Sequence, residues 1–322
     1  MRVHLLVLNF NGRRLLAECL PSMLRAAETS QHTCDVAVID NASTDDSLQL
    51  LAERFPEVRV VRRPNRGLCS FNDVVAELEG PVAVLLNNDI SLRAECIDPW
   101  VAPLVEESSC FMSAPLCWRT DGTTYEGFRT AVRWRFGLVQ ATALYPGHEE
   151  AIHRPGLTAS AGAALAVDCR KFVELGGFDP LYLPGRLEDL DFAFRGYQAG
   201  YHARYVPEAV VYHRGMATFG KVFGAAGCDR LALRNTLLFQ WKNLRHPWHW
   251  ARQLIGLPMR LAQDVCRAPW AEPQRRWLFT RALFGALGRI RRQSADRFLP
   301  KRSISKEREF FHRFDPQAIS SA

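Results

Sequence analysis

The sequence lacks the patterns that mark several common protein classes. Nine cysteines occur in 322 residues, but without a Cys-x-x-Cys pair, a zinc-ligand spacing or an even count, so neither a zinc site nor a disulfide framework is expected. No stretch approaches the roughly 18 apolar residues that a membrane-spanning helix needs. Met1 to Leu8 run directly into a strand pattern without a cleavage site, so we expect no signal peptide. These absences favour a cytoplasmic globular protein with reduced thiols.

Charge is the one compositional feature that is unevenly distributed. The net charge is +7, and residues 242–306 hold 15 Lys and Arg residues against three acids, so the rest of the chain is slightly negative. This difference predicts two regions with different partners, a nearly neutral domain over residues 1–241 and a basic region over residues 242–322.

The first ninety residues alternate between strand and helix patterns. Four apolar runs, at residues 3–9, 36–39, 58–62 and 82–86, are typical of strands buried on both faces. Apolar residues at helical spacing lie between them, and Ser43 is predicted to cap the helix that runs to Leu51. This alternation predicts an α/β fold, with a mostly parallel, Rossmann-like sheet flanked by helices.

The rest of the chain shows a less regular alternation of strand and helix patterns. We expect strands at 108–118 and 158–168, a helix at 187–199, short strands at 203–206 and 210–213, and helices from residue 228 onward. The Gly-, Arg- and aromatic-rich stretch at 119–157 is interpreted as a mobile or acceptor-facing region, with a plain surface loop as the alternative.

Polar clusters follow each of the four predicted strands. They are Asn9-Phe10-Asn11-Gly12, Asp40-Asn41-Ala42-Ser43, Asn65-Arg66-Gly67 and Asn87-Asn88-Asp89. Because the carboxyl ends of parallel strands meet at one edge of an open sheet, where ligands bind, we expect one shared site. Asp89 is the predicted ligand of a divalent cation that holds a diphosphate. Asp40 is predicted to accept a hydrogen bond from a nucleotide base, with Asn9 or nearby backbone reading the rest of the base edge; turn chemistry is the alternative.

These clusters resemble motifs of the family 2 glycosyltransferases with the GT-A fold. The matching blocks are Val7-Leu8-Asn9-Phe10-Asn11, Val38-Ile39-Asp40-Asn41-Ala42-Ser43-Thr44-Asp45, Asn65-Arg66-Gly67, Leu85-Leu86-Asn87-Asn88-Asp89, Gly176-Gly177-Phe178-Asp179 and Glu188-Asp189-Leu190-Asp191-Phe192-Ala193-Phe194-Arg195. The resemblance covers about residues 1–243. It implies a GT-A-like catalytic domain over residues 1–241 and inverting transfer of a sugar from a nucleotide diphosphate donor. The Asn-Asn-Asp triplet resembles the rhamnosyltransferase-like branch, which suggests a deoxy-sugar donor.

The resemblance also implies which residues contact the donor. They are Asn9, Asn11, Asp40, Asn41, Asn65, Gly67, Asn72, Asn87 and Asn88. Two departures from the family pattern bear on these assignments. Asp89 is the only acid where the family often has Asp-x-Asp, and the usual second glycine after the third strand is missing. The choice between Asn72 and Asp73 for the last donor contact therefore stays open.

Three acids at the start of the predicted helix 187–199 are the candidate catalytic residues. An attacking hydroxyl needs a carboxylate to take its proton, and the positive end of a helix favours an ionised carboxylate. By position in the family block the base is Asp189, with Asp191 as the competitor. Glu188 and Asp191 share a helix face, so the alternative is that they position the acceptor or an arginine.

His213 is the candidate second metal ligand. It follows a short predicted strand, and the family often places a histidine there, close to the metal. As a ligand it would shift the preference from Mg²⁺ toward Mn²⁺, because imidazole is softer than carboxylate. A purely structural role for this histidine is the alternative. The expected cofactor is thus Mg²⁺ or Mn²⁺.

The basic region interleaves arginines with Trp, Leu and Phe. Basic amphipathic helices of this composition suit an anionic membrane surface, although a solvated basic face packed on the catalytic domain would give the same pattern. We expect a protein on the cytoplasmic face of the cell membrane, acting on a lipid-linked or cell-surface saccharide. No nucleic-acid partner is expected, because nothing in the first 241 residues supports one.

Two other functions share parts of this pattern. A nucleotide-sugar nucleotidyltransferase would normally carry a Gly-rich, Lys- or Arg-bearing loop after the first strand, and Asn11-Gly12-Arg13-Arg14 is a poor match. A non-catalytic membrane-bound scaffold would be favoured by degraded acids, but Asp40, Asp89, Asp189 and Asp191 are all present.

Overall fold

The computed structural model describes residues 1–215, 219–292 and 303–321 and contains a ten-stranded mixed sheet and a two-stranded hairpin. The strands are β1 (Arg2–Asn9), β2 (Thr33–Asp40), β3 (Arg59–Arg62), β4 (Val82–Asn87), β5 (Ile90–Leu92), β6 (Cys110–Arg119), β7 (Tyr125–Gly127), β8 (Ala131–Arg135), β9 (Leu138–Thr142), β10 (Gly156–Leu157), β11 (Ala164–Asp168) and β12 (His202–His213). The helices are α1 (Arg13–Thr29), α2 (Ser47–Arg54), α3 (Ser70–Ala76), α4 (Ile97–Glu106), α5 (His148–Ala151), α6 (Cys169–Glu174), α7 (Glu188–Ala199), α8 (Phe219–Asn243), α9 (Pro247–Arg267), α10 (Leu278–Arg292), α11 (Ile304–Arg313) and α12 (Pro316–Ser321).

The main sheet has the order β10-β12-β6-β11-β4-β1-β2-β3, with β5 paired to β12 and β7 paired to β6. β1 lies parallel between β2 and β4, and β3 extends this parallel part. β11 runs antiparallel to both β4 and β6, so the second half of the sheet is mixed. The predicted α/β class is confirmed, and the parallel part corresponds to the four strands predicted from the apolar runs.

Several predicted boundaries were wrong for local reasons. α2 begins at Ser47 rather than near Ser43, because the Ser43 hydroxyl accepts hydrogen bonds from Asn9 Nδ2 (3.1 Å) and Asn11 N (3.0 Å) instead of capping the helix. The two strands expected at 203–206 and 210–213 form one strand, β12, with an irregularity between Val206 and Val210.

The stretch at 119–157 is folded, which corrects its interpretation as a mobile region or a plain surface loop. It forms β7, the β8–β9 hairpin, α5 and the start of β10. Ala131, Val132, Leu138 and Val139 of the hairpin are buried. The pattern was missed because these short strands carry arginines and aromatics rather than a continuous apolar run.

The hairpin belongs to a second hydrophobic core, which also contains residues of the basic region. Phe194 of α7 packs against Phe239 of α8 and Phe310 of α11, with ring centroids 5.5 Å and 5.0 Å away. Tyr197 contacts Phe314 at 5.0 Å. The boundary predicted at 241/242 falls inside α8, and side chains on both sides of it share this core. The division into two domains stays a prediction.

A buried polar cluster around Asp191 joins α7 to the end of α8. The Asp191 side chain is fully buried; Lys242 Nζ lies 2.8 Å from both of its oxygens, and Arg195 Nε lies 2.8 Å from Oδ2. The Tyr182 hydroxyl and Asn243 Nδ2 each donate to Oδ1 at 2.7 Å. Burial by itself would raise the pKa of Asp191, but the charges of Lys242 and Arg195 and the hydrogen bonds from Lys242 and Asn243 hold it well below its usual range.

Removing the Asp191 charge should therefore destabilise the fold. Asp191→Asn leaves the buried Arg195 without its carboxylate partner and Lys242 with Asp179 alone. Breaking a buried ion pair in this way typically costs about 3–5 kcal/mol. The control is Asp35→Asn, whose half-exposed carboxylate pairs with Arg2 and should contribute at most about 1 kcal/mol. Urea denaturation measures both free energies of unfolding. Equal losses in the two variants would contradict the role assigned to this cluster.

Candidate active site

The carboxyl ends of the parallel strands open into a cleft of about 690 Å³. Nine of the predicted site residues line it, namely Asn41, Asn65, Gly67, Asn87, Asn88, Asp89, Glu188, Asp189 and His213. Five predicted residues are not among its lining residues, namely Asn9, Asn11, Asp40, Asn72 and Asp191. The structure thus brings together residues up to about 170 positions apart, as expected for strand ends that meet at one sheet edge.

Asn9 and Asp40 hold the strand ends together beneath the cleft. Both side chains are fully buried. Asn9 Nδ2 lies 3.3 Å from Asp40 Oδ1, and Asn9 Oδ1 accepts a hydrogen bond from Asn88 Nδ2 at 2.7 Å. Asp40 Oδ2 accepts from Ser43 N at 3.1 Å. Their predicted contacts with a base stay predictions.

Asn41 offers the cleft a hydrogen-bond acceptor. The sequence had predicted that role for its neighbour Asp40. Asn41 Nδ2 donates to the Gly67 carbonyl at 3.2 Å. Within the part of the chain that the structure describes, its buried Oδ1 has no hydrogen-bond partner. A buried acceptor without a partner is costly in an empty site, so Asn41 Oδ1 is well suited to receive an N–H group of a ligand.

Asn11 and Asn72 support loops instead of lining the cleft. Asn11 Oδ1 accepts from Thr44 N at 2.7 Å. Asn72 bonds both ways with the backbone of Phe178, with Nδ2 donating to the carbonyl at 2.8 Å and Oδ1 accepting from the amide at 2.9 Å. Asn72 therefore anchors the Gly-Gly-Phe-Asp turn at 176–179. The donor contacts assigned to these two asparagines stay predictions.

Asp89, His213 and Glu126 form a linear array at the edge of the cleft. His213 Nε2 lies 3.4 Å from Asp89 Oδ1, and His213 Nδ1 lies 3.2 Å from Glu126 Oε1. Burial by itself lowers the pKa of His213, but hydrogen bonds and charges from Asp89 and Glu126 outweigh burial and raise it to about 9. The hydrogen bond from His213 in turn lowers the pKa of Glu126. Because an ionised carboxylate only accepts, Nδ1 carries a proton toward Glu126.

Glu126 is a site residue that sequence reasoning missed. It lies on β7, 87 positions before His213, in the stretch that had been interpreted as a loop. An imidazole that ligates a metal commonly donates its other N–H to a carboxylate, which fixes its tautomer and orientation. No spacing in the sequence links the two residues.

The residues at this edge fit a divalent cation that is shared with a diphosphate. Asp89 and His213 place one carboxylate oxygen and one imidazole nitrogen close together, and hard divalent cations are often held by one or two protein ligands plus phosphates. In the described part of the chain, no group of three or more His, Cys, Asp or Glu side chains is arranged to hold a metal ion without such help.

Glu188 and Asp189 line the same cleft from the first turn of α7. Asp189 Oδ2 accepts hydrogen bonds from the Ser160 hydroxyl and from Gly162 N, the latter at 2.9 Å. Glu188 is almost fully buried, and this burial, together with the charge of Asp189, raises its pKa to about 8. Ser160 was not predicted, because it lies within a stretch that had been interpreted as a continuous strand.

The loop before α7 is held in an unusual backbone conformation. Arg186 and Leu187 have φ values of 84° and 70°, which non-glycine residues adopt only at a cost. Asn235 Nδ2 lies 2.7 Å from the carbonyl oxygen of Tyr182 and 2.8 Å from those of Gly185 and Arg186. Fully buried on α8, Asn235 thus fixes the entry into α7 and the position of the two acids.

Asp191 does not face the cleft. It is enclosed by the cations and hydroxyl described above, and its oxygens are all engaged. The structure therefore separates it from Asp189, although the two residues lie in the same helical turn. An arginine partner for Asp191, which was one of the alternatives drawn from the sequence, is present as Arg195.

Among the helices of the described residues, none combines the length and the apolar character needed to cross a bilayer.

Comparison with known proteins was made for sequence and for structure. Residues 5–153 match the family described as "Glycosyl transferase family 2". The N-acetylglucosaminyl-diphospho-decaprenol L-rhamnosyltransferase of Mycobacterium tuberculosis is 25% identical over 217 residues, which cover 60% of this chain and 70% of that protein.

Two solved structures are similar to this chain. GalNAc-T7 with UDP, GalNAc and Mn²⁺ has a TM-score of 0.55 and 19% identity, covering 74% of this chain and 47% of that one, so this chain spans about half of its length. Mannosyltransferase PcManGT from Pyrobaculum calidifontis, in complex with GDP-Man and Mn²⁺, has a TM-score of 0.54 and 15% identity, covering 92% and 88%. At these identities they show the GT-A-like fold, and both contain Mn²⁺, so divalent metals are used within this fold family. Residues 5–153, somewhat less than half of the chain, are therefore similar to glycosyl transferase family 2, and the chain is a glycosyltransferase.

Proposed function

We propose that the enzyme transfers a sugar, with inversion, from a nucleotide diphosphate donor to a hydroxyl group of a saccharide acceptor. One observation carries the proposal: the same cleft is lined by Asp89 and His213 and by the acids Glu188 and Asp189. The first pair suits a diphosphate leaving group and the second suits an attacking hydroxyl. A single displacement needs both at one site.

The donor is proposed to bind across the strand ends. Asn41 Oδ1, Asn65 and Gly67 lie where β2 and β3 end, and they supply polar groups for the base and ribose. Asn87 and Asn88 follow β4 and lie beside Asp89. A side chain at Gly67 would come within 3.1 Å of the Pro184 carbonyl, so a glycine there keeps this part of the cleft open.

Asp89 and His213 would hold a Mg²⁺ or Mn²⁺ ion, with Glu126 orienting the imidazole. Because the raised pKa keeps His213 protonated when no metal is bound, metal binding would displace the proton on Nε2. Such a cation supplies charge stabilisation for the departing nucleotide diphosphate. The chain's own contribution is positional: β4 and β12 fix the two ligands, and the Glu126 carboxylate keeps Nδ1 protonated so that Nε2 faces Asp89.

Asp189 is proposed as the base that takes the proton of the acceptor hydroxyl. The hydrogen bonds from Ser160 and Gly162 both go to Oδ2, so we assign Oδ1 to the acceptor. Glu188 has a different role. With a pKa near 8 it is largely protonated at neutral pH, so it can donate a hydrogen bond to a sugar oxygen but is a poor proton acceptor.

The acceptor and sugar are inferred from the relative. The name of the Mycobacterium tuberculosis relative includes an L-rhamnosyl group and a saccharide linked to diphospho-decaprenol. We propose a lipid-linked saccharide acceptor, a deoxy-sugar donor and action at the inner face of the cell membrane.

The first test concerns the base. Asp189→Asn cannot accept a proton, so kcat in a nucleotide-sugar transfer or hydrolysis assay should fall about 10²–10⁴-fold. Donor binding should change little. Asp35→Asn, at the opposite end of β2, is the matched control. Near-wild-type turnover by Asp189→Asn would exclude the assignment.

The second test concerns the metal ligands. Calorimetry with UDP, GDP and TDP as probes should show nucleotide binding that is strengthened by Mn²⁺ or Mg²⁺ and reversed by EDTA. His213→Ala should weaken metal-dependent binding, and Glu126→Gln should weaken it about 10–100-fold. Unchanged metal dependence in His213→Ala would show that His213 is not a ligand.

The third test uses the raised pKa of Glu188. Since the folded-state pKa is about 8 against an ordinary value of 4.5, the unfolded chain releases this proton first, and stability falls as the pH rises from about 4.5 to 8. Glu188→Gln removes this loss. Its free energy of unfolding, relative to wild type, should therefore increase between pH 5 and pH 8 in urea denaturation. A difference that does not change with pH would contradict the raised pKa.

A further inference from the structure

Helix α9 differs from an ordinary surface helix, because its solvent-exposed side is apolar. Of its 21 residues, the exposed ones between positions 248 and 266 include a single charged residue, Arg252. The others form what we call the α9 apolar face, and they are Trp248, Leu254, Ile255, Pro258, Met259, Ala262, Val265 and Cys266. Leu254 and Ile255 are 68% and 67% exposed. A contiguous exposed apolar stripe of this kind marks an interaction surface.

The inner side of α9 combines polar contacts with Leu257 and Leu261, which pack against the second hydrophobic core, and together they fix the helix in this orientation. His249 Nδ1 lies 2.5 Å from Glu307 Oε1 of α11. Arg260 Nε donates to the Phe136 carbonyl at 2.8 Å, and Asp264 Oδ2 accepts from Thr280 N at 2.7 Å. Gly256 lies so close to the hairpin that a side chain there would meet the Gly137 backbone at 2.5 Å. Rotating α9 to bury its apolar face would break all of these contacts.

The surroundings of the α9 apolar face are basic and aromatic. Trp248 lies in its first turn, and Trp270, just beyond its end, is 90% exposed. The exposed charged residues from 245 to 281 are six arginines and one acid, namely Arg245, Arg252, Arg267, Arg275, Arg276, Arg281 and Glu272. Tryptophans at both ends of the helix, and exposed arginines within it and on either side of it along the chain, match the headgroup zone of an anionic bilayer.

The same surface lies close to the cleft. The β8–β9 turn touches α9 at Gly137, and Ala141, four residues along β9, lines the cleft. Four strand residues span about 13 Å. Gly137 contacts the inner side of α9, so a bilayer on the apolar face would be separated from this turn by the helix itself, which is about 10 Å thick.

We propose that the α9 apolar face lies in the plane of an anionic lipid bilayer, with its marginal arginines on the headgroups. The helix is too polar on its inner side to span the membrane, so it is embedded along its length in the interface. Only the purpose of the membrane contact, which is to bring the cleft to a lipid-linked acceptor, rests on the proposed function. The membrane contact itself is measured without turnover.

The experiment is flotation of the full chain with vesicles of phosphatidylcholine alone and of phosphatidylcholine with phosphatidylglycerol. Wild type should float with the anionic vesicles and show a blue shift of tryptophan emission. Binding should weaken between about 0.1 M and 1 M salt, where the screening length falls from roughly 10 to 3 Å. Leu254→Ser/Ile255→Ser/Met259→Ser should reduce the partition coefficient at least about tenfold, since it removes apolar area from the interface.

The matched control is Val60→Ser/Val105→Ser/Val173→Ser, three exposed apolar residues of the catalytic region, which should bind as wild type does. Circular dichroism checks that both triple variants are folded. The proposal is overturned if folded wild type does not float with anionic vesicles, or if the α9 variant floats equally well. A wild-type dimer that the α9 variant converts to monomer, without vesicle binding, would assign the face to a second copy of the chain.

Donor hydrolysis in vesicle-free solution separates this inference from the proposed function. The α9 variant should hydrolyse nucleotide sugars at the wild-type rate, because none of the three residues lines the cleft. Wild type that floats but never turns over a donor would refute the proposed function and leave the membrane surface standing. Turnover without flotation would do the reverse.

Discussion

The arrangement of the active site depends on one buried carboxylate, that of Asp191. Its bonds to Lys242 and Asn243 tie α7 to the end of α8, and its bond to the Tyr182 hydroxyl ties both to the loop before α7. That loop contains two residues with left-handed backbone, a conformation that persists only when the surroundings enforce it. Asp191 and Asn235 together provide this enforcement, so the positions of Glu188 and Asp189 follow from contacts made on the far side of the helix.

Within four residues of α7, three acids are placed in three different electrostatic environments. Asp191 is buried among cations and stays ionised, whereas Glu188 is buried without an adequate cation and has its pKa raised to about 8. Asp189 lies between them at the cleft, held by a hydroxyl and a backbone amide. Burial thus has opposite consequences for neighbouring carboxyls, because the sign of the pKa shift is decided by the partners that accompany it. This separation commits Asp191 to structure and leaves Glu188 and Asp189 for the roles proposed for them.

The basic C-terminal helices are part of the structure that supports the cleft. α8 fixes the loop before α7, α11 packs on α7 through Phe310, and α9 packs on the β8–β9 hairpin whose β9 strand reaches the cleft. The charge asymmetry of the chain therefore does not coincide with a break in its core. A surface that contacts a bilayer through α9 would be rigidly linked to the reacting groups.

Much of the fold and part of the site followed from local patterns. Apolar runs identify the buried strands, and the polar residues after each run identify the sheet edge where Asn87-Asn88-Asp89 lies. Both could be predicted because strand burial and turn formation depend on a few consecutive residues. The contact between Glu126 and His213 could not be predicted from local patterns, since Glu126 lies on a three-residue strand without a periodic pattern. The contact of Ser160 with Asp189 was missed because residues 158–168 were interpreted as one strand, whereas β11 begins at Ala164.

The sequence by itself determined that the chain has a Rossmann-like sheet with a ligand edge, that acids occupy the first turn of α7, and that α9 is amphipathic. Only the tertiary structure decided which face of each helix turns inward. Asp189 and Asp191 are two positions apart and so lie on opposite sides of α7. Periodicity shows that a helix has two faces, but the neighbours that pack against it decide which face is buried. On α9 those neighbours are the turn at Gly137, Glu307 and the second hydrophobic core, and they hold the side that carries His249, Gly256 and Leu257, which leaves Leu254 and Ile255 exposed.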